Sequence, residues 1–176
     1  MKTMKQFGLM LTMLTATLLS SCSNDDNDGG GNSAANGTIK AKVGGSNYTT
    51  LQAASFATKH QIGNVYMITL QGSDASGKAI QLGLNGVPAA TGTYEISQEA
   101  TISAVASYTE ININDPMNST VWVAPYEGSG VVGSITISEI TDTTIKGTFN
   151  FIGKNQEGTD TKAVTNGAFN LNFQGS

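Results

Sequence analysis

Residues 145–152 read IKGTFNFI, and their alternation decides the class of fold. The odd-numbered positions of this stretch are apolar or small: Ile145, Gly147, Phe149 and Phe151. Polar side chains occupy most of the positions between them. Successive side chains of a β-strand point to opposite faces, so this period of two predicts a strand with one face in a core. We therefore expect Phe149 and Phe151 to be buried.

The same alternation recurs from Thr38 onward, and no window offers a long amphipathic helix. The apolar positions of the other runs include Ile39, Ala41, Val43, Tyr66, Ile68, Leu70, Ile80, Leu82, Leu84, Ile102, Ala104, Ala106, Tyr108, Ile135, Ile137, Phe169, Leu171 and Phe173. Turn sequences at 73–77, 141–143 and 154–160 separate some of these runs and predict hairpins. Residues 38–176 are therefore predicted to form an all-β domain, an antiparallel meander of about nine or ten strands that makes a sandwich or a closed barrel.

The first segment of the chain is typical of a bacterial export signal. Two lysines precede an apolar stretch at 7–19, which is too short to span a bilayer because a transmembrane helix needs about 20 residues. The stretch ends in LSSC at 19–22, which resembles the lipobox of bacterial lipoproteins. That resemblance implies a signal peptide over residues 1–21 and lipidation of Cys22, which would become the first residue of the mature chain.

Residues 22–37 are predicted to form a flexible tether, because they contain no large apolar side chain to bury. Asp25, Asp26 and Asp28 follow closely behind Cys22. An acidic run at this place resembles the export signal that sends many lipoproteins of the Bacteroidota to the cell surface. The alternative interpretation is a spacer that is merely well solvated.

The composition excludes several classes of function. Nine lysines and no arginine stand against thirteen acids, a formal net charge of −4, whereas nucleic-acid-binding proteins present basic patches rich in arginine. Cys22 is the single cysteine, so its lipidation leaves no thiol for a disulfide, for catalysis or for a metal site. We predict no cofactor, no bound metal and no nucleic-acid partner.

Three candidate catalytic motifs lack the context that their chemistry needs. Residues 128–133, GSGVVG, match the dinucleotide fingerprint, but an alternating run predicts a strand where that fingerprint requires a helix. His60, the single imidazole, lies in a polar stretch at 58–61 that predicts an exposed turn. The spacing of the carboxylates that could form a glycosidase pair does not favour one: Glu95, Glu99, Glu110, Asp115, Glu127 and Glu139. We predict a protein that is not an enzyme, with a glycan hydrolase as the least favoured alternative.

Aromatic side chains give the best indication of binding. In residues 120–126, TVWVAPY, Val121 and Val123 share one face of a predicted strand and Trp122 lies on the other. If the valines pack inward, Trp122 and Tyr126 face the solvent, where they can stack on a sugar ring or on a partner chain. The alternative is a strand that is covered on both faces.

Short motifs at 42–48 (KVGGSNY), 92–94 (GTY), 145–149 (IKGTF) and 166–170 (NGAFN) are spread over most of the predicted domain. Through them the domain resembles small secreted lipoprotein domains of unknown function that are common in the Bacteroidota. The resemblance implies no activity.

Together these features predict an outer-membrane lipoprotein, displayed at the cell surface, that acts as a non-catalytic binding or envelope-associated module. Its partners would be the membrane, through the lipid, and a glycan or an envelope protein. An alternative keeps the anchor but faces the periplasm. A further alternative closes the strands into a lipocalin-like barrel that binds a small apolar ligand, which would need an apolar cavity of roughly 300 Å³ or more.

Overall fold

The structure is a computed structural model that describes residues 33–112 and 114–175. The predicted signal peptide, the lipidation site Cys22 and the acids Asp25, Asp26 and Asp28 lie outside the described residues. The described residues form antiparallel strands joined by turns, with two short 3-10 segments. The predicted all-β class is confirmed.

Eleven strands make up the sheet. In chain order they are β1 Thr38–Val43, β2 Ser46–Thr49, β3 Ser55–Ile62, β4 Val65–Ser73, β5 Lys78–Val87, β6 Gly92–Ile96, β7 Ser103–Glu110, β8 Thr120–Ala124, β9 Gly133–Ile140, β10 Thr144–Asn155 and β11 Thr161–Asn172. The turns predicted at 73–77 and 141–143 join β4 to β5 and β9 to β10.

The sheet follows the order β2-β1-β11-β10-β8-β7-β5-β4-β3, with β9 beside β10 and β6 beside β9. Strand β10 is long enough to pair with β9 along its first part and with β8 at Lys154 and Asn155. The sheet curls until Ala57 of β3 meets Phe173, just after β11, in a parallel bridge. The result is a half-barrel, within the predicted class of sandwich or barrel.

The concave side of the sheet is filled with apolar side chains. Phe149 and Phe151 are both buried, as the alternation of β10 predicted, and their ring centroids lie 6.4 Å apart. Phe169 of β11 lies 6.4 Å from Phe149 on the same side. A Cβ atom at position 147 would collide with the Thr136 carbonyl oxygen of β9, so glycine is required there. These rings belong to one continuous cluster of buried residues that includes members from both halves of the chain.

The antiparallel strands place their turns at two opposite ends of the half-barrel. The cleft end carries the β1–β2 turn at Gly44 and Gly45, whose positive φ angles of 56° and 86° suit glycine, together with the turns after β4 and β10. The tether end carries the start of β1 and the turns after β3 and β9. At the tether end, the Gly37 amide donates to the Asn170 carbonyl oxygen of β11 at 2.7 Å.

Candidate functional site

Trp122 is buried, with 5% of its surface exposed, and this corrects the predicted surface platform. The neighbouring Val121 and Val123 are only half-buried and take the outer face of β8. Trp122 and Ala124 take the inner face of β8, where Tyr108, the direct neighbour of Trp122 across β7 and β8, packs beside the indole. Tyr126 lies half-buried in the loop after β8, so the two predicted platform residues do not form one exposed surface.

Tyr48 of β2, Tyr108 of β7 and Trp122 of β8 form an aromatic ladder at the cleft end. The ring centroids of Tyr48 and Tyr108 lie 6.0 Å apart with their planes at 88°, an edge-to-face contact. Those of Tyr108 and Trp122 lie 5.8 Å apart. Burial raises the pKa of both tyrosines above the ordinary value. The two hydroxyls therefore stay protonated at neutral pH and act as hydrogen-bond donors.

The indole of Trp122 is fixed at both its face and its edge. Its Nε1 donates to Asp160 Oδ2 at 2.8 Å, and Asn155 Nδ2 donates to the other carboxylate oxygen at 2.8 Å. The hydrogen bond from Trp122 lowers the pKa of Asp160, so this acceptor stays ionised. Gly153 of β10 leaves room beside Trp122, because a Cβ there would lie 2.9 Å from Trp122 Cβ.

Lys162, near the start of β11, joins the aromatic ladder to a carboxylate. Its Nζ lies 3.6 Å from the ring centroid of Trp122, a cation-π contact, and 2.7 Å from Glu110 Oε1. Tyr108 Oη donates to the same Glu110 oxygen at 3.0 Å. Burial acts to raise the pKa of Glu110, but the hydrogen bonds from Lys162 and Tyr108 hold it below its ordinary value. Glu110 is therefore a charged acceptor with fixed donors.

Of these residues, Tyr48, Tyr108, Glu110 and Lys162 line an open cleft of about 570 Å³, the end cleft. Its lining also includes Gly44 of the β1–β2 turn and Ser46 and Asn47 of β2. Tyr48 Oη donates to the Lys78 carbonyl oxygen at 2.9 Å. Asp74, in the turn after β4, accepts from the backbone amides of Ser76 and Lys78 at 2.8 and 2.9 Å.

The end cleft brings together two carboxylates, Asp74 and Glu110, and two amines, Lys78 and Lys162. The charge of Lys78 acts to lower the pKa of both carboxylates. The formal charges of the four groups cancel. Such a surface offers several hydrogen-bond donors and acceptors without favouring a strongly charged ligand of either sign.

In the described part of the chain, two further clefts lie on the outer face of the sheet. One, of about 630 Å³, runs over β6, β9, β10 and β11 and includes Val131 and Ile152. The other, of about 270 Å³, lies against β4, β5 and β7. The first is somewhat larger than the end cleft, but it has one charged residue, Glu95, in its lining. Ligand sites combine concavity with convergent polar groups, so the end cleft is the better candidate.

The candidate catalytic motifs rejected on sequence grounds lie in separate parts of the structure. Residues 128–133 lead into a strand, β9, as predicted. The helix that the dinucleotide fingerprint requires after its glycines is therefore replaced by a strand. His60 is exposed as predicted, but it lies within β3 and not in a turn. Of the six candidate carboxylates, Glu110 lines the end cleft, Glu95 lies on β6, and Glu139 of β9 pairs with Lys146.

Across 33–112 and 114–175, no group of three or more His, Cys, Asp or Glu side chains is arranged to hold a metal ion. Over the same described part of the chain, no helix has the length and apolar character needed to cross a membrane.

A family model described as a domain of unknown function, DUF6252, matches residues 35–171, most of the chain. The chain belongs to the DUF6252 family. The DUF6252 match includes every residue that lines the end cleft. No curated protein and no solved structure matches the chain.

Sequence reasoning missed most of the end cleft of this DUF6252 domain. Tyr48 stands in the KVGGSNY stretch that carried the family resemblance, so a weak signal existed for it. Lys162 and Asp160 lie in a polar turn and strand start with no motif of their own. Their association with Trp122 appears only when β8, β10 and β11 are brought side by side.

Proposed function

We propose that this DUF6252 protein is a lipid-anchored, non-catalytic binding module of the bacterial outer membrane, and that it binds a polar glycan of the cell envelope in its end cleft. The anchor part of the proposal rests on the sequence LSSC at 19–22, with Cys22 as the lipidated residue. Display at the cell surface rests on Asp25, Asp26 and Asp28 behind it. A lipoprotein with several acyl chains stays on its membrane, because each buried methylene adds about 0.8 kcal/mol.

The topology of the domain supports a cleft that faces away from the membrane. The chain leading from Cys22 joins β1 at Thr38, and β1 then runs to the Gly44–Gly45 turn at the cleft end. Six residues of strand cover about 20 Å. The end cleft therefore lies at the end of the domain opposite to the point where the chain from Cys22 enters, so attachment through Cys22 would leave it accessible.

The single observation that carries the ligand proposal is the convergence of Asp74, Lys78, Glu110 and Lys162 in one concave site beside buried aromatic rings. Hydroxyl groups of a sugar both donate and accept, so they can pair with carboxylates and amines at once. The filled core favours this site over the lipocalin-like alternative, because the phenylalanine rings of β10 and β11 occupy the interior that an apolar ligand would need.

Trp122 provides a reporter for this binding, because Lys162 touches both the indole face and the cleft. We expect a panel of soluble neutral oligosaccharides to include one that changes the Trp122 emission in a saturable way. Replacing Lys162 with Met should weaken that ligand about tenfold or more, since a central polar contact in a binding site is worth roughly 1.4 kcal/mol or more.

Lys154→Met is the matched control, because Lys154 of β10 lies 5.9 Å from the ring centroid of Tyr126 and does not line the end cleft. Circular dichroism of both variants checks that the fold is kept. If the wild type and Lys162→Met bind the oligosaccharide with equal affinity, the end cleft is not its binding site. Binding of fatty acids with no response to oligosaccharides would favour the lipocalin-like alternative.

A further inference from the structure

The tether end carries exposed apolar side chains at the tip of the β3–β4 hairpin. Ile62 and Val65 face each other across the Gly63-Asn64 turn and are 58% and 39% exposed. Neither side chain belongs to the buried cluster of the domain. They are therefore available for a contact outside the domain.

Uncharged residues extend this surface. Val87, the last residue of β5, pairs with Tyr66, which puts the following Pro88, Ala89 and Ala90 beside the hairpin tip. All three are exposed. We call Ile62, Val65 and residues 88–90 the apolar tip.

The apolar tip lies at the end of the half-barrel where the chain enters β1. Strand β3 runs parallel to β11 at the Ala57–Phe173 bridge and continues to Ile62, about 16 Å further at 3.3 Å per residue. The backbone amide of Gly37, just before β1, donates a hydrogen bond to the carbonyl oxygen of Asn170, near the end of β11. The hairpin thus projects in the direction of the end to which the N-terminal segment is attached.

The charge of this part of the chain also suits a lipid surface. Residues 55–73, which include β3 and β4, contain no acid, although the whole chain has thirteen acids and a net charge of −4. Lys59 lies on the hairpin, with its Nζ 4.7 Å from the ring centroid of Phe173, and His60 beside it is exposed. The nearby turn at 141–143 carries an exposed Asp142, so the contact is restricted to the hairpin side of this end.

We propose that the apolar tip contacts the surface of the bilayer and fixes the orientation of the anchored domain, with the end cleft pointing outward. This inference rests on the proposed lipid anchor. Two aliphatic side chains and three small residues cover far less area than the roughly 1,200 Å² of a stable protein interface, which argues against a second copy as the occupant. A weak additional contact is sufficient for a domain that a lipid already holds at the membrane.

The test places an environment-sensitive NBD probe on a single cysteine at either end of the lipidated full-length protein. Ile62→Cys puts the probe on the apolar tip, and Ser76→Cys, in the turn after β4, puts it at the cleft end as the matched control. Lipidated Cys22 does not react with the probe. Each protein is reconstituted on vesicles of phosphatidylethanolamine and phosphatidylglycerol, some of them with brominated acyl chains that quench nearby probes.

We expect the probe at position 62 to shift to the blue and to be quenched at least about twofold more than the probe at 76, as insertion by about 5–10 Å below the headgroups would give. Val65→Cys repeats the measurement at a second site, in case the Ile62 variant does not fold. Equal quenching at both ends of a vesicle-bound protein would overturn the inference and leave the anchor standing. Protein that washes off the vesicles would overturn both. A blue shift without vesicles that grows with protein concentration would indicate a second copy and would also overturn the inference.

Discussion

Truncation of Phe151 to alanine is expected to lower the free energy of unfolding by about 3–5 kcal/mol. Phe151 is 1% exposed, and it lies between Gly133 of β9 and Val164 of β11 in the sheet. The centroid of its ring lies 6.4 Å from that of Phe149, with the two planes at 25°. Rigid neighbours from three strands cannot collapse into the space that the ring leaves, so a cavity adds to the lost burial. Urea denaturation followed by circular dichroism measures the loss.

The next residue along β10 supplies the control. Ile152 is 45% exposed on the opposite face, so Ile152→Ala is expected to change the unfolding free energy by no more than about 0.5–1 kcal/mol. A contrast between these adjacent positions would establish which face of β10 is inside. A loss below about 1 kcal/mol for Phe151→Ala would mean that the strand is turned over.

Replacing Trp122 with alanine is expected to cost about 3–5 kcal/mol of stability, in contrast to the exposed platform that the sequence predicted. The change removes a buried indole that packs 5.8 Å from Tyr108 and under the Lys162 amine. It also leaves Asp160 without the Nε1 donor. The measurement is urea denaturation, with wild-type fluorescence as a second readout.

Val123→Ala is the matched control for Trp122, because Val123 lies on the outer face of the same strand and is half-buried. Its loss is expected to be clearly smaller than that of Trp122→Ala. The wild-type indole should emit at short wavelength and resist quenching by iodide. If Trp122→Ala is as stable as the wild type and iodide strongly quenches the wild-type fluorescence, Trp122 is exposed and the surface-platform prediction holds.

The class of fold could be predicted because, in most strands, apolar and polar residues alternate over several consecutive positions. Phe149 and Phe151 illustrate this, because both lie on the face of β10 that the alternation assigns to the core. Strand β3 gave no such signal. Its second half, with Lys59, His60 and Gln61, extends beyond β11 and has a partner on one side only, β4, so it needs no apolar face.

The orientation of β8 could not be predicted from its own residues. The two-residue alternation shows which side chains share a face of the strand, but it does not show which of the two faces is buried. In β8 that choice depends on Tyr108 across the strand pair and on Lys162 and Asp160, which come about 40 residues later in the chain. The end cleft was missed for the same reason, since its residues come from strands that are distant in the chain: four from β2, two from β7 and one from β11.

We propose that Cys22 carries the lipid that holds this protein on the outer membrane. Growth with radiolabelled palmitate, followed by fractionation of the cells, tests it most directly on the wild type and on Cys22→Ala. We expect labelled wild-type protein in the outer-membrane fraction and unlabelled Cys22→Ala protein in the soluble fraction, because one or more acyl chains at a single residue supply the membrane affinity. Unlabelled wild-type protein, or a Cys22→Ala variant that stays in the membrane fraction, would contradict the claim.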